Sequence, residues 1–511
     1  SASARALSPR VRQQLALQAL VGTQPIARLA REHHVSRKFV YRQAAKARRA
    51  LEGAFAPAPP GGARVLFWLP VTTPWLQQLV HALVLISRSS LRGVVELLAD
   101  LFDYRISVGR VHVILRRALP RARAATARVR LGGVRVGAHD EIYQADVPVL
   151  VGADVESTYC YLLSPEEHCD GDTWGVRLLE LADRGFAPEA TIADGGTALR
   201  AGQALALPGV PCRGDLFHAL KELSEAVAVM ENRAYAAIAA RAKVEQEQAA
   251  FAKRHGRQSP ALRGRLWHAE RAEEGAVALA ADVATLARWL HQEVLAVAGP
   301  DWATRQELYD FVVAELQARQ AGGPKTLQAA CTTLAHGRDS LLAFVAALDA
   351  DLAALAAKLA VPVAVLREVL AVQALDQRRP QRWQREAALR AQLRGRYHQV
   401  ATAVAALAGR VVRASSVVEN VNSRLRVYFQ LWRQVGAGSL ALLQFYLNHR
   451  RFPRSQRPGR IGKSPTELLT GQPHAHWLEL LGYQRFTRKE LAEQEPASCT
   501  RRYPEVLPQT A

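Results

Sequence analysis

With 511 residues, 49% of them hydrophobic, the chain is long enough for several domains with sizeable cores. Its net charge of +21 and pI near 10.3 point to a polyanionic partner, nucleic acid first and an anionic membrane surface second. No apolar run of about 20 residues and no signal-peptide core is read in it. Its five cysteines (Cys160, Cys169, Cys212, Cys331, Cys499) are scattered without a CxxC pair, which argues against a disulfide framework or zinc ribbon and for a reducing cytosol.

The first 52 residues hold eleven Arg and Lys against two Glu. Within them "PIARLAREHHVSRKFVYRQAAKARRAL" has helix–turn–helix character. Pro25 suits a first helical position, Ile26, Leu29 and Ala30 make an apolar face, His33 to Val35 turn, and Ser36 can cap a second helix beginning at Arg37. In such a motif the start of the second helix enters the major groove, so Ser36, Arg37, Lys38, Tyr41 and Arg42 are expected to face DNA. The bland alternative is a basic helical hairpin that binds nothing specific. "FAPAPPGGAR", Phe55 to Arg64, reads as a Pro/Gly linker. Beyond it, Ser89 or Ser90 is expected to cap a helix through about Asp103, Tyr104 to Ile106 to turn, and Ser107 to cap another helix ending at Arg116-Arg117. This second module, with Ser107 and Arg110 at its recognition end, is more apolar than the first. Together the two would read a long, two-part DNA site.

From Gly133 the period changes to two. "VRVGAHDEIY" places Val134, Val136, Ala138, Asp140 and Ile142 on one side of a strand. "VPVLVGADVEST" and "YCYLLS" follow as strands joined at Glu156-Ser157. A helix ending at Gly185, a strand breaking at Asp194-Gly195-Gly196, a helix, a short strand and another helix complete a β-β-β-α-β-α-β-α order, which predicts a mixed sheet. Leu216 to Val412 is helical and Ala-rich, with breaks near Gly256–Pro260, Gly299-Pro300, Gly322–Pro324 and Arg379-Pro380; its charges read as solvated faces. "SSVVENVNSRLRVYF" then winds into an apolar stripe of Val421, Leu425, Tyr428 and Trp432 and a polar stripe of Glu419, Asn422, Ser423, Arg426 and Gln430. Helix and loop follow in "GSLALLQFYLNHRRFPRS". Ser464-Pro465 starts a short helix, and a mixed polar tail ends the chain. The expected domains are 1–54 (helix–turn–helix), 55–64 (linker), 65–130 (second helical module), 131–218 (first part of the α/β core), 219–412 (all-helical insertion), 413–471 (second part of the core) and 472–511 (tail).

A carboxylate in mid-strand is costly unless solvated, paired or metal-bound, which singles out Asp140. Asp194 sits where the fourth strand ends, the edge at which α/β sheets place ligands. Glu419 lies on a helix able to pack on that sheet. Three converging carboxylates favour hard divalent cations, and two such ions about 3.5–4 Å apart can activate one oxygen and stabilise another at a phosphodiester.

The chain resembles the DDE-type transposases of bacterial insertion sequences, whose catalytic domain is ribonuclease-H-like and retroviral-integrase-like. The resemblance runs from about Gly133 to Gly471 and is carried by "DEIYQADVPVLVGADVESTYCYLL", "TIADGGTALRAG", "RASSVVENVNSRLRVYF", "FYLNHRR" and "SPTELLTG". It implies Asp140, Asp194 and Glu419 as a triad binding two Mg²⁺ (or Mn²⁺), with a basic residue, Arg426, seven positions after the Glu. The helical stretch looks like the insertion domain of several transposase groups, and "DLFH", Asp215 to His218, matches a (C/D)xxH motif whose His lies near the scissile phosphate. The implied partners are transposon-end and target DNA and a second copy of the chain, in the bacterial cytoplasm at the nucleoid, with no membrane. Asn422, His218 and Arg426 would position phosphate or neutralise charge.

Each residue has a plainer reading. Asp154 and Glu141 are rival acids on the sheet, and Asp194 could be only a turn former. Glu419 could be a solvated surface acid, His218 a helix-face histidine, and Arg426 a structural partner of Glu419. Trp174 reads as core. Two other functions stay open: a domesticated transposase acting as a non-enzymatic DNA-binding regulator or architectural protein, and a metal-dependent nuclease without strand transfer.

Overall fold

The computed structural model describes residues 7–55, 69–321, 323–432 and 435–486; residues 56–64 of the expected linker and the tail beyond 486 lie outside them. The chain forms two compact units, one reaching Gln78 and the other spanning Leu79–Gly482. In the first unit, α1 (Pro9–Val21), α2 (Ile26–Glu32) and α3 (Arg37–Ala54) close on Leu15, Leu29, Ala30 and Val40. Ser36 is extended, and its hydroxyl accepts the Phe39 N–H, so the second helix of the pair starts at Arg37 as its cap chemistry requires. Pro25 stands one place before α2 rather than at its first position. After α4 (Thr73–Leu85), which leads into the second unit, come α5 (Leu91–Phe102), capped by Ser90, and α6 (Val108–Ala127), capped by Ser107. Helix α6 does not stop at Arg117. It runs on through Pro120, because Val111, Ile114, Ala118 and Ala122 continue one buried face that outweighs the hydrogen bond lost at the proline.

The second unit is built on a five-stranded mixed sheet of order β3-β2-β1-β4-β5. Strand β1 (Val136–Gln144) pairs antiparallel with β2 (Val147–Asp154), and β2 pairs antiparallel with β3 (Cys160–Pro165). The short strands β4 (Ala190–Ala193) and β5 (Cys212–Gly214) extend the sheet in parallel with β1. Helices α7 (Gly171–Ala182) and α8 (Thr197–Ala206) make the crossovers. One face is closed by Tyr161, Trp174, Leu178 and Phe186. Gly137 and Gly152 make room there, since a Cβ on either would run into Tyr161. Asp154, the rival acid, is buried at the β2–β3 turn, where one oxygen accepts both the N–H (2.7 Å) and the hydroxyl of Ser157. That is a turn-holding role.

The insertion follows from β5 without a break. Its helices are α9 (Leu216–His255), α10 (Pro260–Trp289), a π turn (Leu290–Val294), α11 (Trp302–Ala318), α12 (Lys325–Leu359), α13 (Val363–Ala374), α14 (Pro380–Leu393) and α15 (Tyr397–Arg410). They divide where Gly and Pro were expected to divide them, with two further breaks: at Ala360–Pro362, where Ala360 takes a left-handed cap conformation, and at Arg394–Arg396, a 3-10 turn. By length and composition α12 could cross a membrane, against the expectation that no such segment exists; it is the only such helix among the described residues. Its apolar side chains, Leu334, Leu342, Val345, Leu348 and Leu352 among them, are buried within the bundle. Arg305 is fully buried and donates to the carbonyls of Val294, Ala296, Val297 and Pro300, satisfying the groups left bare by the π turn and the loop after it.

The chain returns to the sheet through α16 (Ser416–Leu431), which lies against β1 and β2. Trp432 falls just beyond the end of α16 and only half-buried, so the apolar stripe stops at Tyr428. Helix α17 (Ala437–His449) packs on α6 and β3. Asn448 on α17 takes the N–H of Cys160 and donates to its carbonyl, each at 2.8 Å, so a side chain completes the β3 edge. Short helices α18 (Pro465–Thr470) and α19 (Trp477–Leu480) follow. Ser464 and Glu467 form a reciprocal capping box at α18.

Two stability measurements test this account. Arg305→Leu should cost ~3 kcal/mol or more in urea unfolding, because four buried or half-buried carbonyls lose their donor. Burial by itself would raise the Glu467 carboxyl, but Arg451 and the N–H groups of Ser464 and His474 outweigh it and pull it from 4.5 down to about 2. Its stabilisation is therefore complete above pH 4.5 and is lost as the pH falls toward 2. In acid titrations of stability, Glu467→Gln should flatten that part of the curve.

Candidate active site

The site begins with strand register. Ala138 on β1 pairs with Ile192 on β4; two residues further along each parallel strand stand Asp140 and Asp194. Neighbouring strands are about 4.8 Å apart, so the two carboxylates leave the sheet side by side. Asp140 is buried in mid-strand, whereas Asp194 is half-buried just past the end of β4, its Oδ1 accepting the Gly196 N–H at 3.0 Å.

Glu419 comes from the first turn of α16 and is fixed by a relay from the other end of the helical insertion. Asp215 follows β5 directly and caps α9 through the Phe217 N–H at 2.8 Å. The same buried carboxylate accepts the Ser415 N–H at 3.1 Å and the Ser415 hydroxyl, tying the start of α16 to the start of α9. It also takes His218 Nδ1 at 2.6 Å, while His218 Nε2 lies 3.4 Å from Glu419 Oε1. Arg426, two helical turns along α16, reaches Glu419 Oε2 at 3.6 Å and is more than half exposed. Asp140, Asp194, Glu419, His218 and Arg426 are thus brought together.

Asn422 takes a different place from the one expected at a DNA phosphate. It is fully buried, and its Nδ2 donates to Asp140 Oδ2 at 2.7 Å. It therefore orients the carboxylate from beneath. A polar stripe read from the helix wheel alone put Asn422 in solvent; the tight approach of α16 to β1 buries it. Ser415 was passed over as a site residue. Its only signal was a serine at the start of a helix, and its partner Asp215 is 200 positions away.

The electrostatics are those of crowded negative charge. Burial, then the charges of Glu419 and Asp194, push the Asp140 carboxyl up to about 7. The hydrogen bond that His218 donates to Asp215, helped by the charges of Asp215, Asp140 and Glu419, lifts His218 to about 9 against the opposing effect of burial. It is therefore an imidazolium near neutral pH. An all-oxygen donor set of crowded carboxylates fits a hard divalent cation. Among the described residues, however, no group of three His, Cys, Asp or Glu side chains is placed to hold an ion as it stands, and Glu419 is engaged with His218 and Arg426. The donor chemistry fits Mg²⁺ or Mn²⁺, and the resting arrangement keeps the third carboxylate on protein cations.

The predicted DNA-facing side chains Ser36, Arg37, Lys38, Tyr41 and Arg42 are all exposed on the first turns of α3, and Ser107 and Arg110 are exposed at the start of α6.

Asp215→Ala should destabilise the protein by about 3 kcal/mol in urea unfolding, since four buried or half-buried donors lose their acceptor. Hydrogen exchange should quicken at the first turn of α16, around Ser415 to Glu419, more than in the helical bundle. Compared with known proteins, the chain matches no family model, and no curated protein matches it.

Proposed function

We propose that the protein is a DNA transposase of the DDE type with a ribonuclease-H-like catalytic core. It binds the terminal inverted repeats of an insertion sequence, hydrolyses the end phosphodiester, and joins the freed 3′-OH to target DNA. The observation that carries this reading is the convergence of three carboxylates from distant parts of the chain: Asp140 in mid-strand, Asp194 beside it in parallel register, and Glu419 on the helix packed above them. The strand order, with a three-stranded antiparallel meander extended by two parallel strands, supports it. So does the net charge of +21, which suits a phosphate backbone, and the exposed basic start of α3.

Asp140, Asp194 and Glu419 would hold two Mg²⁺ or Mn²⁺ ions, which when bound supply activation of the attacking oxygen and stabilisation of the leaving one. The chain's own groups do the rest. Asn422 holds Asp140 in one rotamer. Asp215 keeps His218 protonated and pointed at the carboxylates, where the imidazolium offsets charge on a phosphate. Arg426 is exposed enough to move from Glu419 to a phosphate oxygen. Joining two element ends requires at least a dimer on DNA. Action on chromosomal DNA places the protein at the bacterial nucleoid.

The alternative of a non-enzymatic DNA-binding protein draws on one observation: among the described residues no three ligating groups are placed to hold an ion as they stand. Incubation with Mg²⁺ and duplex DNA bearing the ends of the encoding element separates the readings. Strand-transfer product is expected. Nicking alone would identify a nuclease, and tight binding without cleavage a regulator. Asp194→Ala should abolish cleavage while leaving DNA affinity within about twofold, because a carboxylate contributes no phosphate contact. Cleavage by that variant would remove the site.

A further inference from the structure

On the far side of α16 from Glu419 lies a cavity of about 660 Å³. At 100° per residue, Glu419, Asn422 and Arg426 share one side of the helix, while Val417, Asn420, Val421 and Arg424 share the other and line this cavity. Its other walls come mainly from Arg135 before β1, from the β2–β3 turn, from the stretch 409–416 leading into α16, and from the loop 452–460. Arginines enter from four segments: Arg135 before β1, Arg413 on the stretch leading into α16, Arg424 on α16, and Arg454, Arg457 and Arg460 on the loop. Among the described residues lining it, the one acid is Glu156.

Three of these guanidinium groups are oriented by backbone carbonyls, which aim a charge without cancelling it. Arg135 donates to Arg410 O at 2.9 Å, Arg413 to Leu295 O at 2.6 Å, and Arg460 to Glu156 O. Arg135 also meets Glu189 at 3.3 Å and Glu156 at 4.0 Å. Among the described residues, Arg413, Arg424, Arg454 and Arg457 pair with no carboxylate. Burial holds Arg413 below its ordinary range, and burial together with Arg450 and Arg88 does the same to Arg424. Like charges so gathered repel one another and are relieved by an anion.

We propose that this cavity is a phosphate-binding pocket for the DNA backbone, separate from the carboxylate site and divided from it by α16. The inference rests on the reading of the chain as a DNA-binding protein, though not on its chemistry. Guanidinium groups bind phosphate oxygens bidentately. The cavity is in the size range of sites for drug-sized molecules, so it is far larger than one phosphate. Its arginines stand on separate segments, as successive phosphates of a strand require. Val155, Val411 and Phe452 in its wall offer apolar surface to the sugars between. Helix α16 would then hold one DNA strand at Glu419 and a second at Arg424.

The test uses the full chain, a short duplex of arbitrary sequence, and anisotropy titrations over a range of salt. Arg454 and Arg457 are exposed, so Arg454→Gln/Arg457→Gln should fold normally by circular dichroism. It should lose about tenfold in affinity at low salt, and its slope of log K against log salt should fall by about 2, near 0.9 for each lost phosphate contact. Arg385→Gln, on the helical insertion, should keep the wild-type slope. In the unsubstituted protein, duplex DNA should protect Arg454 and Arg457 from phenylglyoxal. A folded double variant with the wild-type slope, or no protection, overturns the pocket and leaves the DNA-binding reading standing. A wild-type chain that binds no duplex overturns both. A chain that binds with the expected slope loss yet never cleaves keeps the pocket and loses the transposase.

Discussion

One buried carboxylate holds the candidate site together. Asp215 accepts from the Phe217 N–H, from both the backbone and the hydroxyl of Ser415, and from His218. Those donors come from the two ends of a helical excursion about 200 residues long, so the carboxylate joins the exit from β5 to the entry of α16. Burying a carboxylate is costly unless nearly every lone pair is used. This one is saturated, and its own pKa is held below the ordinary value although burial opposes that. Loss of the latch would free both the first turn of α16, which carries Glu419, and the ring of His218. The insertion can therefore be large and separately cored without loosening the site, because its two ends are clamped at one point.

A second constraint is the partition of charge about α16. The helix carries its acid and its buried amide on the face toward β1, and an arginine on the face toward the 452–460 loop. On the first face negative groups crowd until Asp140 resists ionisation. On the second, arginines crowd with a single acid among them. His218 and Arg426 answer part of the charge on the first face, while the arginine cluster on the second is not balanced within itself. The first is suited to a cation and the second to a polyanion. A helix only some 10 Å across keeps them apart.

Much of this was legible in the chain order of the residues. The caps Ser36, Ser90, Ser107 and Ser464, the alternation that defines β1, and the Gly and Pro breaks of the insertion all act within a few positions of themselves. Their physics is therefore written locally. Asp140 stood out because an acid at mid-strand is an anomaly that demands a reason, and Asp194 because it ends a strand before two glycines. Local rules also misled in two places. The helix expected to end at Arg116-Arg117 runs on along a continuous buried face, and Asn422, read on the polar stripe of the helix wheel, is buried against Asp140.

The sequence alone therefore determined which segments are helix and strand, where the serine-capped helices start, and which side chains are chemically out of place, since each depends on neighbours along the chain. Only the tertiary structure decided that Asp215 meets Ser415, that Asn422 rests under Asp140, that Asp154 holds a turn, and that arginines from four segments share one cavity. Those pairings join residues far apart in sequence, and no local periodicity encodes them. They follow from the register of the parallel strands and the close approach of α16 to β1, which arise only once the core has packed.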